Sequence, residues 1–140
     1  MAIPRLFTLE QAERTLPLVR RIVEDLVQVY PEWRGGVSRY EALSLDAKPE
    51  AGETAEMIAE RDRVAELAGR IDGYLRELES IGCVFKGFEA GLVDFQSLRD
   101  DQPIFLCWRL GEERITHWHE LETGFDGRRP IDDAVLSETQ

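Results

Sequence analysis

Leu75-Arg76-Glu77-Leu78-Glu79-Ser80-Ile81-Gly82-Cys83-Val84-Phe85-Lys86, residues 75–86, holds the change of period that decides the fold. Up to Ile81 the apolar residues return every three or four positions, the spacing of one helix face. Gly82 suits the stop position just past a helix, where the backbone turns left-handed. From Cys83 onward the pattern has the two-residue period of strands. The chain before this point therefore reads as helical and the chain after it as a sheet, an α+β protein.

Toward the N-terminus, a second helix is predicted from about Thr54 to Ile81, striped by Met57, Ile58, Val64, Leu67, Ala68, Ile71, Leu75 and Leu78. Glu66 and Arg70, and Asp72 and Arg76, stand four residues apart in the favourable order. Gly69 and Gly73 each cost about 1 kcal/mol against alanine inside a helix, which predicts close approach of another backbone. A rod of about 40 Å exceeds what the core of one such domain requires, and predicts self-association. The first helix opens at Thr8, with Gln11 completing a capping box. Its apolar face runs through Leu9, Ala12, Leu16, Val19, Val23, Leu26 and Tyr30, widened by Ile22, Val27 and Val29. Pro17 predicts a kink or restart near Thr15, and Pro31 predicts the end of the helix. Residues 31–54, punctuated by Pro31, Gly35-Gly36, Pro49 and Gly52, read as an inserted connection. Trp33, Val37 and Tyr40 should pack as a turn or short helix there, while 46–53 stays mobile.

Toward the C-terminus, Cys83–Lys86 and Leu92–Phe95 read as strands around a turn at 87–91. Ile104–Arg109 and Arg114–His119 read as two more, joined at 110–113. Short connections imply an antiparallel meander of three or four strands. One domain, 1–140, is expected: two long antiparallel helices as a hairpin over 1–82, a small meander over 83–119, and an irregular tail over 120–140.

The 17 basic residues against 28 acidic ones give a net charge of −11. Such a surface repels phosphate backbones and anionic lipid, so neither nucleic acid nor membrane is expected as a partner. Two isolated cysteines, Cys83 and Cys107, fit a reducing compartment and are not expected to pair. Met1-Ala2-Ile3-Pro4-Arg5 lacks the pattern of a signal peptide. A cytoplasmic protein is the expectation.

Several motifs together carry a resemblance. They are Gly91-Leu92-Val93-Asp94-Phe95, Leu106-Cys107-Trp108-Arg109-Leu110-Gly111-Glu112, Trp118-His119 and Gly124-Phe125-Asp126-Gly127-Arg128. With the opening Phe7-Thr8-Leu9-Glu10-Gln11-Ala12, they closely resemble the bacterial family catalogued as domain of unknown function 2203. The resemblance covers nearly the whole chain and implies a shared fold and a bacterial cytosolic origin. It brings no established activity and no catalytic residue.

His117-x-His119 is the sharpest local signal for chemistry. On a strand, positions two apart share a face, where two imidazoles can hold one metal ion such as zinc. Glu112, Asp94 and Glu120 are the nearby carboxylates that could complete that set. A hairpin closing tightly at Gly111-Glu112 pairs Leu106 with His117 and Trp108 with Ile115. That register puts the histidines on an apolar face under the helices and Cys107 on the opposite face, against a Cys-His-His site. A structural, hydrogen-bonded role for the histidines is then the stronger expectation. Asp94, between Val93 and Phe95, wants a partner, and Arg109 or Arg128 is the candidate. Glu112 reads as a turn residue with a solvated carboxylate. Gly124-x-x-Gly127-Arg128-Arg129 could hold an anion but lacks the strand and helix of a phosphate loop. Trp108, Trp118 and Phe95 read as sheet core rather than ligand surface. No Gly-x-Ser-x-Gly is present, so serine-hydrolase chemistry has no support.

The leading expectation is a non-catalytic cytoplasmic interaction or scaffold protein, a homodimer joined through its helical hairpin, without cofactor and with no small-molecule ligand legible. The alternative is a small metal-binding protein or metal-dependent enzyme with a site around Asp94, Glu112, His117 and His119.

Overall fold

In the computed structural model, which describes residues 5–132 and Val135, two helices precede a five-stranded sheet. Helix α1 spans Leu9–Asp46 and α2 spans Ala55–Ile81, with a 3-10 turn at Pro49–Ala51 between them. Strands β1 (Val84–Gly87), β2 (Leu92–Arg99), β3 (Gln102–Arg109), β4 (His117–Glu120) and β5 (Arg129–Pro130) follow. The fold is α+β, as the change of period at Gly82 implies, with one or two strands more than expected.

The Thr8 hydroxyl accepts from the Gln11 N–H at 3.0 Å, and the Gln11 side chain accepts from the Thr8 N–H at 3.0 Å, closing the capping box. Helix α1 then runs through both prolines to Asp46. This corrects the expected restart near Thr15 and the expected end at Pro31. Each proline withholds one N–H, so the carbonyls of Glu13 and Val27 lose an intrahelical partner. Tertiary packing outweighs that loss. Tyr30 stacks on Phe88 with ring centroids 4.1 Å apart and leans on Trp33 at 5.8 Å. Gly36 lies so close to α2 that a Cβ there would sit 2.9 Å from Val64 Cγ2. Arg39 pairs with Glu60 at 2.6 Å and Arg63 with Glu32 at 3.3 Å, while the Tyr40 hydroxyl donates to Glu53. Most of the expected connection is therefore helix, and only residues 47–54 link the two rods.

Thr54 caps α2 by accepting from the Met57 N–H at 3.1 Å, and Gly82 ends it with φ 105°. The expected close approach at Gly69 and Gly73 does not occur within the described chain, where a Cβ at either meets nothing within 4 Å. No helix among the described residues is long and apolar enough to cross a membrane.

The strands pair antiparallel in chain order, β1-β2-β3-β4-β5. The two-residue turn at Asp100-Asp101, with φ 51° and 64°, sets the β2–β3 register. Alternation then gives the sheet two faces. Val93, Phe95, Ser97, Ile104, Leu106, Trp108 and Trp118 point inward, buried with Leu16, Val19, Val23 and Leu26 of α1. Gly91, at φ 68°, is where the sheet meets α1, since a Cβ would stand 2.9 Å from Val23 Cγ1 and 2.8 Å from Leu110 Cβ. Strand β1 pairs only as far as Asp94 on β2. Beyond it the Phe7 N–H donates to the Gln96 carbonyl at 2.8 Å, and the Ser97 hydroxyl donates to the Phe7 carbonyl at 2.7 Å. The region read as an irregular tail holds a 3-10 turn (Phe125–Gly127) and β5, and residues 136–140 lie outside the described chain.

Candidate functional site

The outer face of the sheet carries the polar residues, and its register differs by one from that expected. Leu106 pairs with Trp118 and Cys107 with His117. The connection from β3 to β4 is longer than a tight turn. Glu112 N–H donates to the Arg109 carbonyl at 2.9 Å, and the Trp108 indole N–H donates to the Glu112 carbonyl at 2.9 Å. The Ile115 N–H leaves the sheet and donates to Glu13 Oε2 on α1 at 3.2 Å. Strand β4 therefore starts at His117 rather than Arg114. A slip of one residue moves every side chain to the other face. The histidines point away from the helices, and Cys107, expected opposite them, shares their face.

Asp94 on β2 stands across from Cys107 on β3, and His119 on β4 stands across from Phe105. Ligand atoms of Asp94, Cys107 and His119 all lie within 4.8 Å of one another. The three residues are 3%, 1% and 3% exposed. His119 Nε2 is 3.0 Å from Asp94 Oδ2, and His119 Nδ1 is 2.7 Å from the Glu120 carbonyl oxygen. A carbonyl only accepts, so Nδ1 carries a proton and donates it. A second proton then lies between Nε2 and Oδ2. Burial, and next the Asp94 carboxylate beside it, push the Cys107 thiol up to about 12, with Arg128 opposing them. At neutral pH the sulfur is a thiol.

This order is wrong for a cysteine nucleophile. Activating a thiol needs the imidazole nitrogen turned to the sulfur. Here Nε2 is turned to Asp94, and the carboxylate faces both of its neighbours. The same order suits a cation. A thiolate, an imidazole and a carboxylate are the donors of zinc, whose bonds of about 2.0–2.3 Å imply donor separations of about 3.3–3.7 Å in a tetrahedron. The N–O separation of 3.0 Å falls just under that range. The 4.8 Å limit on all three lies above it. Shifts of a few tenths of an ångström to about 1 Å bring the three into a tetrahedral corner.

All three donors line a cavity of about 210 Å³ on the outer face, closed from the other side by Leu121, Gly124 and Phe125 of the segment after β4. Lys86, Leu92 and Phe105 complete its wall, and no residue of α1 or α2 lines it.

Of the residues singled out from sequence, Asp94 and His119 come together. His117 shares their face but lies outside the donor cluster, with Nδ1 2.9 Å from the Thr116 hydroxyl. Glu112 is held elsewhere, accepting from Arg128 Nη2 at 2.9 and 2.8 Å and from the Arg109 N–H at 2.8 Å. It is a tied carboxylate rather than a solvated one. Asp94 takes His119 as its partner in place of Arg109 or Arg128, and Arg109 is exposed on the end of β3. Arg128 also reaches the Cys107 carbonyl at 3.5 Å, and Arg129 pairs with Glu120 at 3.3 Å on the surface, so both cations of the Gly124–Arg129 segment have partners within the chain. The donor missed from sequence is Cys107. A two-residue turn at Asp100-Asp101 was the signal that pairs it with Asp94, but such turns favour Asn-Gly or Asp-Gly.

A family model described as an uncharacterized conserved protein, DUF2203, matches residues 5–131. No curated protein and no solved structure matches the chain. The matched span takes in both helices, all five strands and the three clustered donors, and the chain belongs to the DUF2203 family.

Proposed function

We propose that the protein binds a divalent transition metal of the zinc class through Asp94, Cys107 and His119. The observation that carries this reading is a buried thiol, imidazole and carboxylate from three adjacent strands, clustered on the wall of a cavity. A cation takes the place of both the proton shared by His119 and Asp94 and the thiol proton, since a coordinating thiol is deprotonated. The Nδ1 bond to the Glu120 carbonyl fixes the tautomer that leaves Nε2 for the metal, the usual outer-shell support for a histidine ligand. Three protein ligands leave a fourth position open, the pattern of reactive rather than structural zinc. Sulfur among the donors favours zinc over magnesium or calcium. Two buried free thiols, Cys83 and Cys107, support a reducing, cytoplasmic setting.

Zinc at a hundredfold excess over its dissociation constant should add about 2.7 kcal/mol of stability. Melting curves with and without zinc test this. The gain is expected in the wild type and lost in Asp94→Ala, Cys107→Ser and His119→Ala, while His117→Ala and Glu112→Gln keep it. An unchanged wild-type melting temperature, or a gain that survives Cys107→Ser, would refute the site.

A second reading concerns the helical hairpin as a self-association surface. What favours it is the outer side of α2, where a Cβ at Gly69 or Gly73 meets nothing within 4 Å among the described residues and Ile58 is exposed. Two glycines that weaken a helix without serving its own fold suit a second α2 packed against them. Light scattering should then give a dimer for the wild type and a monomer for Gly69→Glu. A wild-type monomer at tens of micromolar ends this reading.

A further inference from the structure

The cavity beside the three donors has a composition that selects its occupant. A divalent ion held by one thiolate, one carboxylate and one neutral imidazole is formally neutral. Lys86 is the cation on the cavity wall, its Nζ 5.5 Å from the centre of the Phe105 ring. The site with its metal thus carries one positive charge, in a chain whose net charge is −11. A single negative charge on the occupant balances it, and a dianion overshoots. The remaining wall is hydrocarbon, from Leu92, Phe105, Leu121 and Phe125. A cavity of about 210 Å³ suits a small organic occupant.

Resting on the metal reading above, we propose that this cavity takes a small carboxylic acid anion with an apolar body, bound through its carboxylate at the open metal position. Lys86 pairs with the second carboxylate oxygen. Phe105, Leu121 and Phe125 cover the hydrocarbon part. Small apolar occupants with one convergent polar anchor are what pockets of this build select. Inorganic phosphate, doubly charged and polar on every side, leaves those three side chains without a partner and is rejected.

The test uses the full chain loaded with cobalt(II), whose d–d and thiolate charge-transfer absorption reports coordination. Titrations with butyrate and benzoate should shift the d–d bands saturably, whereas butyramide and inorganic phosphate should not. Lys86 is exposed, so Lys86→Ala keeps the fold and the cobalt spectrum, but should weaken benzoate about tenfold, the loss of one charge-assisted bond. Lys86→Arg should restore most of that affinity. An absence of thiolate charge-transfer absorption in the wild type refutes the metal reading and this proposal together. A normal cobalt spectrum that carboxylates leave unmoved overturns the proposal alone. So does an equal response to butyramide or phosphate, or unaltered benzoate affinity in Lys86→Ala.

Discussion

Arg128 is mostly buried, with 14% of its side chain exposed, and its Nε has no hydrogen-bond partner among the described residues. Its charge is answered by the two Glu112 oxygens, one of which also accepts the Arg109 N–H. Glu112→Ala removes this answer and leaves a guanidinium stranded in the fold. A loss of about 1.5–3 kcal/mol is expected on urea denaturation, with metal uptake unchanged. A loss of metal uptake as well would return Glu112 to the donor set. Cys83 titrates for a separate reason. Burial pushes its thiol from 9.0 up to about 12, while the Sγ–H donates to the Leu78 carbonyl at 3.5 Å. The folded state therefore holds this proton more tightly than the unfolded chain does, and stability falls as pH rises. The contribution is whole below pH 9.0 and disappears on the way to about 12. Urea denaturation from pH 8 upward should show the wild type losing stability faster than Cys83→Ala, and parallel curves would exclude this thiol as the cause.

At the scale of elements, the ends of the helices were legible where a side chain or a glycine acts on its own neighbours. Thr8 with Gln11, Thr54 and Gly82 are such cases. Pro31 misled because the forces that carry α1 past it come from far along the chain, from Phe88 on Tyr30 and from α2 against Gly36. The same reasoning gives a test. Pro31→Ala returns the N–H that the Val27 carbonyl lacks, and should raise stability by roughly 1–2 kcal/mol after the looser unfolded chain is counted. A fall on denaturation would mean that the helix is bent there to fit its partner. The donor cluster was half legible for a similar reason. Asp94 and His119 stand out as polar residues in apolar strands. Cys107 meets Asp94 through the Asp100-Asp101 turn, and His119 joins them only after the 110–116 connection, where the Ile115 N–H is held by Glu13 on a distant helix.

Taken whole, the molecule has a two-layer half and a thin half. The sheet packs on the first part of α1, and the last buried residue of α1 is Gly36. Beyond it α1 and α2 have only each other, joined by a connection in which every residue from Lys48 to Thr54 is exposed. A protease specific for lysine or glutamate should nick at Lys48, Glu50 or Glu53 before either helix, with both fragments staying together on a native gel. A first cut between residues 57 and 80 would contradict this. Every strand neighbours the next in the chain and the two helices are also consecutive, so few contacts span the sequence. Those that do join Phe7 and α1 to the sheet and to its connections, among them Phe88 on Tyr30 and Ile115 on Glu13. On the ribosome, therefore, Leu16, Val19, Val23 and Leu26 emerge roughly seventy to a hundred residues before the inner face of the sheet that covers them. At 5–20 residues per second that wait is on the order of seconds. The nascent hairpin is, for that interval, an amphipathic surface open to a chaperone such as those that meet polypeptides at the exit tunnel.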